Sequence, residues 1–229
     1  MTAAVAEGVV RRYRRGTDVV NALAGVDLAV ERGRMTAVVG PSGSGKSTLL
    51  HLLAGLDRPD EGRISVAGVD LAALDDDERA DLRRCHVGLV FQFFHLLPDL
   101  TAWENVALPV VLGPQRLRDG RRRATELLEL VGLGDRVDHR PRQLSGGQLQ
   151  RIAVARALMA EPTLVLADEP TGSLDSVAGA LVTDLLADLA HSQGRAVVVV
   201  THDPRVGERA DRVVSLADGR IVDDTEPLR

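Results

Sequence analysis

Gly40 opens the run GPSGSGKS, which ends at Ser47 and matches GxxxxGK(S/T) at every fixed position. Glycines let successive backbone N–H groups turn inward, so Gly40, Ser42, Gly43, Ser44 and Gly45 would curl around a chain of phosphates. A helix starting at Lys46 would aim its positive N-terminal dipole at the same anion, with Thr48 in its first turn. Lys46 is then set to reach the β- and γ-phosphates and Ser47 to ligate Mg2+. Lys46 is also the only lysine in the chain. A genomic bias toward Arg explains the bulk of that pattern but not why position 46 escapes it. A compact ammonium on a slim stem fits inside a tight backbone loop, and a wide guanidinium does not.

Residues 163–169 read TLVLADE, a buried-strand pattern ending in two carboxylates. A rigid strand end could hold Asp168 where it meets Mg2+ through water. Glu169, one residue on, could point across a γ-phosphate and polarise a water for in-line attack. Two acids after a strand are common by chance; following a phosphate loop, they read as functional. Residues 144–148 read LSGGQ ahead of a helical run. Ser145 makes a good N-cap, which is its plain role. Gly146 and Gly147 are poor helix formers, so a need for close backbone approach accounts for them better. A second phosphate site at that helix N-terminus, with Gln148 in its first turn, meets the need.

These groups need elements to position them. Short strands fit residues 9–13 and 26–30, a buried strand fits 35–39, and a helix fits 46–56. Residues 63–71 read as a returning strand, 77–84 as a helix and 87–91 as a second buried strand. From 93 to 158 the apolar spacing is helical, with Pro- and Gly-containing loops between helices. Strands return at 163–167 and 196–200 around an amphipathic helix at 176–190. Residues 213–223 fit a final hairpin turning at Asp218 and Gly219. Strands alternating with helices imply an α/β fold with a mainly parallel sheet covered on both faces.

The 229 residues suit one domain: a core of 1–92 and 159–229, with 93–158 inserted as a helical subdomain. With 45% hydrophobic but only 2% aromatic residues, aliphatic side chains must fill the core. A net charge of −5 argues against a protein that coats nucleic acid. The single cysteine, Cys85, excludes an intrachain disulfide and reads as a buried or half-buried thiol in a reducing compartment. No stretch reaches the roughly 18 apolar residues of a membrane helix, and the N-terminus lacks a signal peptide's apolar centre. A membrane role would come through a partner. The Arg-rich stretch 116–123, including Arg121, Arg122 and Arg123, reads as a solvated face, or else as a contact for anionic lipid head groups.

The phosphate loop, LSGGQ about a hundred residues later, LVLADEP, and a strand ending in Thr201, His202 and Asp203 together resemble the ABC ATPase family along nearly the whole chain. That resemblance implies a P-loop NTPase core with an N-terminal antiparallel β subdomain and an inserted α-helical subdomain. It implies ATP and Mg2+ as ligands. It makes Gln92 the glutamine that senses Mg2+ and links to a membrane partner. It makes Asp175, after Ser173 and Leu174, part of a loop that communicates across a dimer. His202 becomes the switch histidine that orients the attacking water, and Tyr13 the aromatic that stacks on adenine. On the residues alone, His202 also reads as a strand-end histidine, Gln92 as a capping residue and Tyr13 as part of a solvated Arg-flanked strand.

The family's mechanism implies a head-to-tail homodimer or heterodimer of ATPases, each LSGGQ capping ATP in the partner's phosphate loop. It implies a cytoplasmic position, peripheral on the inner face of the cell membrane. The wording HLLAGLDRPDEG, VFQFFHLLPDLTAWENVALPV and ADEPTGSLDS is similar to ATPases of the macrolide-exporter and lipoprotein-release type. Those work with a permease of few spans and a large extracytoplasmic domain. A second reading is a non-transporting ATPase that regulates cell division through a permease-like partner. A chromosome-maintenance ATPase would need a long coiled coil before LSGGQ, and no sustained heptads occur there.

Overall fold

A computed structural model describes residues 1–16, 18–111 and 117–226. Two sheets organise it. β1 (Thr2–Arg15) and β2 (Asp18–Glu31) form a long antiparallel hairpin. β3 (Met35–Val39) leads through the phosphate loop into α1 (Lys46–Leu53). β4 (Glu61–Val66) pairs with β1, and β5 (Val69–Asp70) closes an antiparallel sheet ordered β2-β1-β4-β5. α2 (Asp76–His86) runs into β6 (Val87–Phe91). Three helices follow: α3 (Ala102–Val111), α4 (Leu117–Leu130) and α5 (Gly146–Ala157). The chain then returns through β7 (Leu164–Asp168), α6 (Ser176–His191), β8 (Ala196–Thr201) and α7 (Pro204–Arg209). β9 (Arg212–Ala217) and β10 (Arg220–Thr225) end it as a hairpin. The second sheet runs β10-β9-β3-β8-β7-β6, parallel except for β10.

Alternation along the central strands divides the core in two. Val197 and Val199 of β8, with Val165 and Ala167 of β7, pack toward Leu128, Ile152 and Leu186 of the helical face. Val198, Val200, Leu164 and Leu166 face the other way, onto Leu49, Leu50 and Leu53 of α1 and onto the antiparallel sheet. α1 is therefore held between both sheets. Parallel register sets Val39 beside Thr201, Asp168 beside Val200 and Phe91 beside Asp168. The carboxyl ends of four strands thus meet in one row, where open α/β sheets place their ligands.

Several expected elements come out differently. The first hairpin is 14 residues per strand, with register shifts at four points. Those shifts break the period-two alternation that marks a strand. The expected single strand at 63–71 is split by a turn at Ala67 and Gly68, both at positive φ. The helix expected to reach residue 56 ends at Leu53, with Gly55 at φ 63 just beyond it. Cys85 is exposed rather than buried. α2 buries Leu82 and Arg79 instead, and Cys85 lies on its open side. Of the Arg-rich stretch, Arg116 lies outside the described residues, while Arg121 pairs with Asp138 and Arg123 with Glu126 and Glu161.

Candidate active site

The phosphate loop is shaped by close backbone approach. Gly45 sits at φ 105, and a Cβ there would lie 2.3 Å from Ala22 O. Any other residue would drive the loop away from β2. Gly45 also serves as the N-cap of α1 and makes no side-chain capping bond, so the helix start is left bare toward the cleft. Lys46 is 7% exposed, and its Nζ donates to Gly40 O at 2.9 Å and Pro41 O at 3.0 Å. Two carbonyls thus hold the ammonium inside the curl of the loop. Ser44 Oγ is buried without a protein partner.

A cleft of about 600 Å3 opens over this loop. Ser42, Gly43, Gly45, Lys46, Ser47 and Thr48 line it from one side, with Gln92, Glu169 and His202 facing them. Val20 and Ala22 of β2 form its further wall. Gly40 and Ser44 do not line it: a Cβ on Gly40 would lie 2.1 Å from Leu216 O, and Ser44 is buried. Tyr13 is directly opposite Val20 in register but is not among the cleft-lining residues. Its hydroxyl donates to Asp57 Oδ2 at 2.7 Å, and the Arg11 guanidinium lies 4.7 Å from its ring centre.

The carboxylates are held apart in role. Ser47 Oγ donates to Asp168 Oδ1 at 3.1 Å. Burial pushes the Asp168 carboxyl above its ordinary pKa; the Glu169 charge adds to this, and Ser47, His51 and Lys46 oppose it. A desolvated carboxylate beside a hydroxyl is a hard-oxygen pair that suits Mg2+. No cluster of three or more His, Cys, Asp or Glu able to hold a metal exists among the described residues. A small donor set fits an ion that takes the rest of its ligands from water and phosphate. Glu169 adopts a left-handed backbone at φ 45, which turns its side chain off the strand line and over the loop. His202 Nδ1 lies 2.8 Å from Glu169 Oε1, while Thr201 Oγ1 donates to Oε2 at 3.0 Å.

The LSGGQ residues occupy a different place. Ser145, Gly147, Gln148 and Asp175 line a separate cleft of about 310 Å3 with Arg151 and Leu181. Ser145 and Gln148 form a capping box at the start of α5. Asp175 caps α6 by accepting from Val177 N and Ala178 N. The glycine pair has an internal reason as well: a Cβ on Gly147 would lie 2.7 Å from Ala178 Cβ. Gly146 is less crowded, with Leu174 Cδ2 at 3.5 Å. Within one chain, then, the two sets of candidate residues do not meet.

Residues 23–172 match the family model described as ABC transporter. The chain belongs to the ABC transporter family. It is 49% identical over 211 residues to the lipoprotein-releasing system ATP-binding protein LolD of Legionella pneumophila (strain Paris), covering 92% of this chain and 93% of that protein. It is 47% identical over 220 residues to the macrolide export ATP-binding/permease protein MacB of Bartonella quintana (strain Toulouse), covering 96% of this chain but 33% of that longer protein. The ATP-binding cassette MJ0796, solved as a dimer in a post-hydrolysis state bound to ADP and Pi, superposes with a TM-score of 0.88. Its sequence identity is 41%, and the match covers 97% of this chain and 98% of that one.

The structure adds three contacts to this ABC site that sequence reasoning did not supply. Ser173 Oγ donates to Gln92 O at 3.0 Å and ties the loop before Asp175 to the exit of β6. Gln150 is fully buried and donates to Phe91 O at 3.2 Å from within α5. Thr201 is fully buried and reaches Glu169. Ser173 and Thr201 were named from the sequence only as members of their motifs, and contacts this far apart in the chain leave no local pattern.

Proposed function

We propose that this ABC transporter ATP-binding subunit binds Mg-ATP in the phosphate-loop cleft, closes on a second copy or a close relative, and drives a membrane permease of export or mechanical-transmission type. The chain is an ATPase. The observation that carries the reading is the convergence of Lys46, Ser47, Gln92, Glu169 and His202 on one cleft. Lys46 and the loop N–H groups hold the phosphates. Ser47, Asp168 and Gln92 would hold Mg2+, which would neutralise charge on the phosphates. Glu169 takes a proton from water as the water oxygen bonds to the γ-phosphorus. The β,γ-bridging P–O bond breaks, and its electron pair stays on ADP. His202 contacts the γ-phosphate and orients the attacking water, and Tyr13 offers its ring to adenine.

The separate cleft at Ser145 and Gly147 supports the dimer. Its residues cap no phosphate within their own chain, and Val177 and Leu181 expose apolar side chains beside it. A partner's ATP seated there would be the contact that ends when the γ-phosphate leaves. A groove of about 500 Å3 between α2, β6 and α3 supports the permease contact. Ala80, Gly88, Phe91, His95 and Pro109 line it, next to Gln92. No helix among the described residues is long and apolar enough to cross a membrane, in keeping with a peripheral subunit on the cytoplasmic face. We read 1–92 and 159–229 as the nucleotide-binding core and 93–158 as its helical subdomain. The relatives' names, lipoprotein release and macrolide export, favour transport over division control.

Glu169→Gln tests the reading. The variant should bind ATP and dimerise in its presence, yet lose turnover by about 100-fold or more. Hydrolysis at the unmodified rate would remove Glu169 from the role of base.

A further inference from the structure

Glu169 has its two carboxylate oxygens held by different groups. Oε1 faces His202 Nδ1 at 2.8 Å, and Oε2 accepts from Thr201 Oγ1 at 3.0 Å, with His202 N at 3.4 Å. The two side chains differ in their freedom to move. His202 has a side chain 73% exposed at the cleft mouth. Thr201 is fully buried at the end of β8, in parallel register with Val39. Its hydroxyl also accepts from Asp203 N at 3.0 Å. A hydroxyl has a single proton to give. With Asp203 N–H occupying an acceptor position, that proton is aimed at Glu169 and at no other acceptor.

We infer that Thr201 is a positioning residue for hydrolysis: its buried hydroxyl fixes Glu169 through Oε2 and leaves Oε1 as the oxygen that takes the proton. The inference rests on Glu169 being the base. His202 covers Oε1 in the structure described here and must leave it before water can be deprotonated there. Once it does, Thr201 is the remaining side chain that holds the carboxylate. The need for a tether follows from the side chain itself. Glutamate has three rotatable bonds, and Glu169 leaves the strand from a left-handed backbone at φ 45. An untethered carboxylate would sample positions well beyond the tolerance of a near-attack geometry. In the step, an O–H bond of water breaks to Oε1, the water oxygen bonds to phosphorus, and ADP leaves with the bridging oxygen. Oε2 keeps its bond to Thr201 throughout.

The test compares Thr201→Val, which keeps the shape and removes the hydroxyl, with Thr201→Ser, which keeps the hydroxyl. Steady-state ATPase kinetics give kcat and KM, and MANT-ATP binding is measured for Thr201→Val in a Glu169→Gln background. Thr201→Val should lower kcat about 10–100-fold, the scale of a 1 Å misplacement. KM should stay within about twofold, since ground-state binding is untouched. Thr201→Ser should recover most of the rate, and the double variant should bind MANT-ATP like Glu169→Gln alone. A Thr201→Val enzyme with unchanged kcat would overturn the inference. So would a serine variant as slow as valine, or a double variant that loses MANT-ATP, which would place the hydroxyl's role in the fold. Full turnover by Glu169→Gln alone is a separate result: it removes the base itself, whatever Thr201 does.

Discussion

Ser47 Oγ lies 3.1 Å from Asp168 Oδ1, although 121 residues separate them in the chain. The first residue sits in the opening turn of α1 and the second at the end of β7. Burial, helped by the Glu169 charge, raises the Asp168 carboxyl above its usual range despite Ser47, His51 and Lys46, so a cation bound there would be stabilised by this carboxylate. Asp168→Asn removes that charge while keeping an acceptor for Ser47. The apparent Mg2+ affinity in ATPase assays should fall about 10–100-fold, the range for disturbing a metal's water-linked partner. The check is a Mg2+ titration at saturating ATP. An unshifted curve would mean that Asp168 serves the fold and not the metal.

Two neighbouring glycines should respond in opposite directions to the same change. Alanine is favoured over glycine inside a helix by about 1 kcal/mol. At Gly146 the nearest obstacle is Leu174 Cδ2 at 3.5 Å, an ordinary contact. Gly146→Ala should therefore leave stability unchanged or raise it. At Gly147 the new Cβ would lie 2.7 Å from Ala178 Cβ, which no rotamer change can move aside. Overpacking there costs about 1–3 kcal/mol and outweighs the helix gain. Urea denaturation of the two variants gives the sign in each case. Equal gains at both positions would show that α5 and α6 can part freely.

The motif residues that line the two candidate clefts were legible because their motifs are local. The runs 40–48, 144–148 and 163–169 each carry their meaning in consecutive residues. β3, β6, β7 and β8 were legible too, since strands covered on both faces become unbroken apolar runs. The β1–β2 hairpin was read at under half its length, because bulges such as that between Ala6 and Val9 shift which side chains face inward. Thr201 was seen only as the residue before a histidine. Its hydroxyl matters through a partner 32 positions away, and a threonine in a valine-rich strand looks like any other strand former. The separation of LSGGQ from the phosphate loop could be read only through the family resemblance. It depends on how α5 packs, not on the motif's own residues.

The attachment of the final hairpin to the rest of the fold should depend on pH. Arg212 on β9 makes two bonds of 2.7 Å to the carboxylate of Asp224 on β10, and also donates to Ala29 O on β2. One guanidinium therefore ties the end of the parallel sheet to the antiparallel one. The Arg212 bonds hold the Asp224 carboxyl below its ordinary pKa, against a smaller opposing push from burial. A carboxyl depressed in the folded state stabilises the fold fully above its unfolded pKa of about 3.9, and that contribution fades as pH falls through the folded value. Asp224 is 40% exposed, so solvent screening limits the contribution to no more than about 1 kcal/mol. Asp224→Asn should therefore unfold at lower urea than the parent at pH 7. The two midpoints should converge only below about pH 4, where the parent's carboxylate takes up its proton. Midpoints that already coincide at pH 7 would show that Arg212 is held by Ala29 and that Asp224 adds nothing.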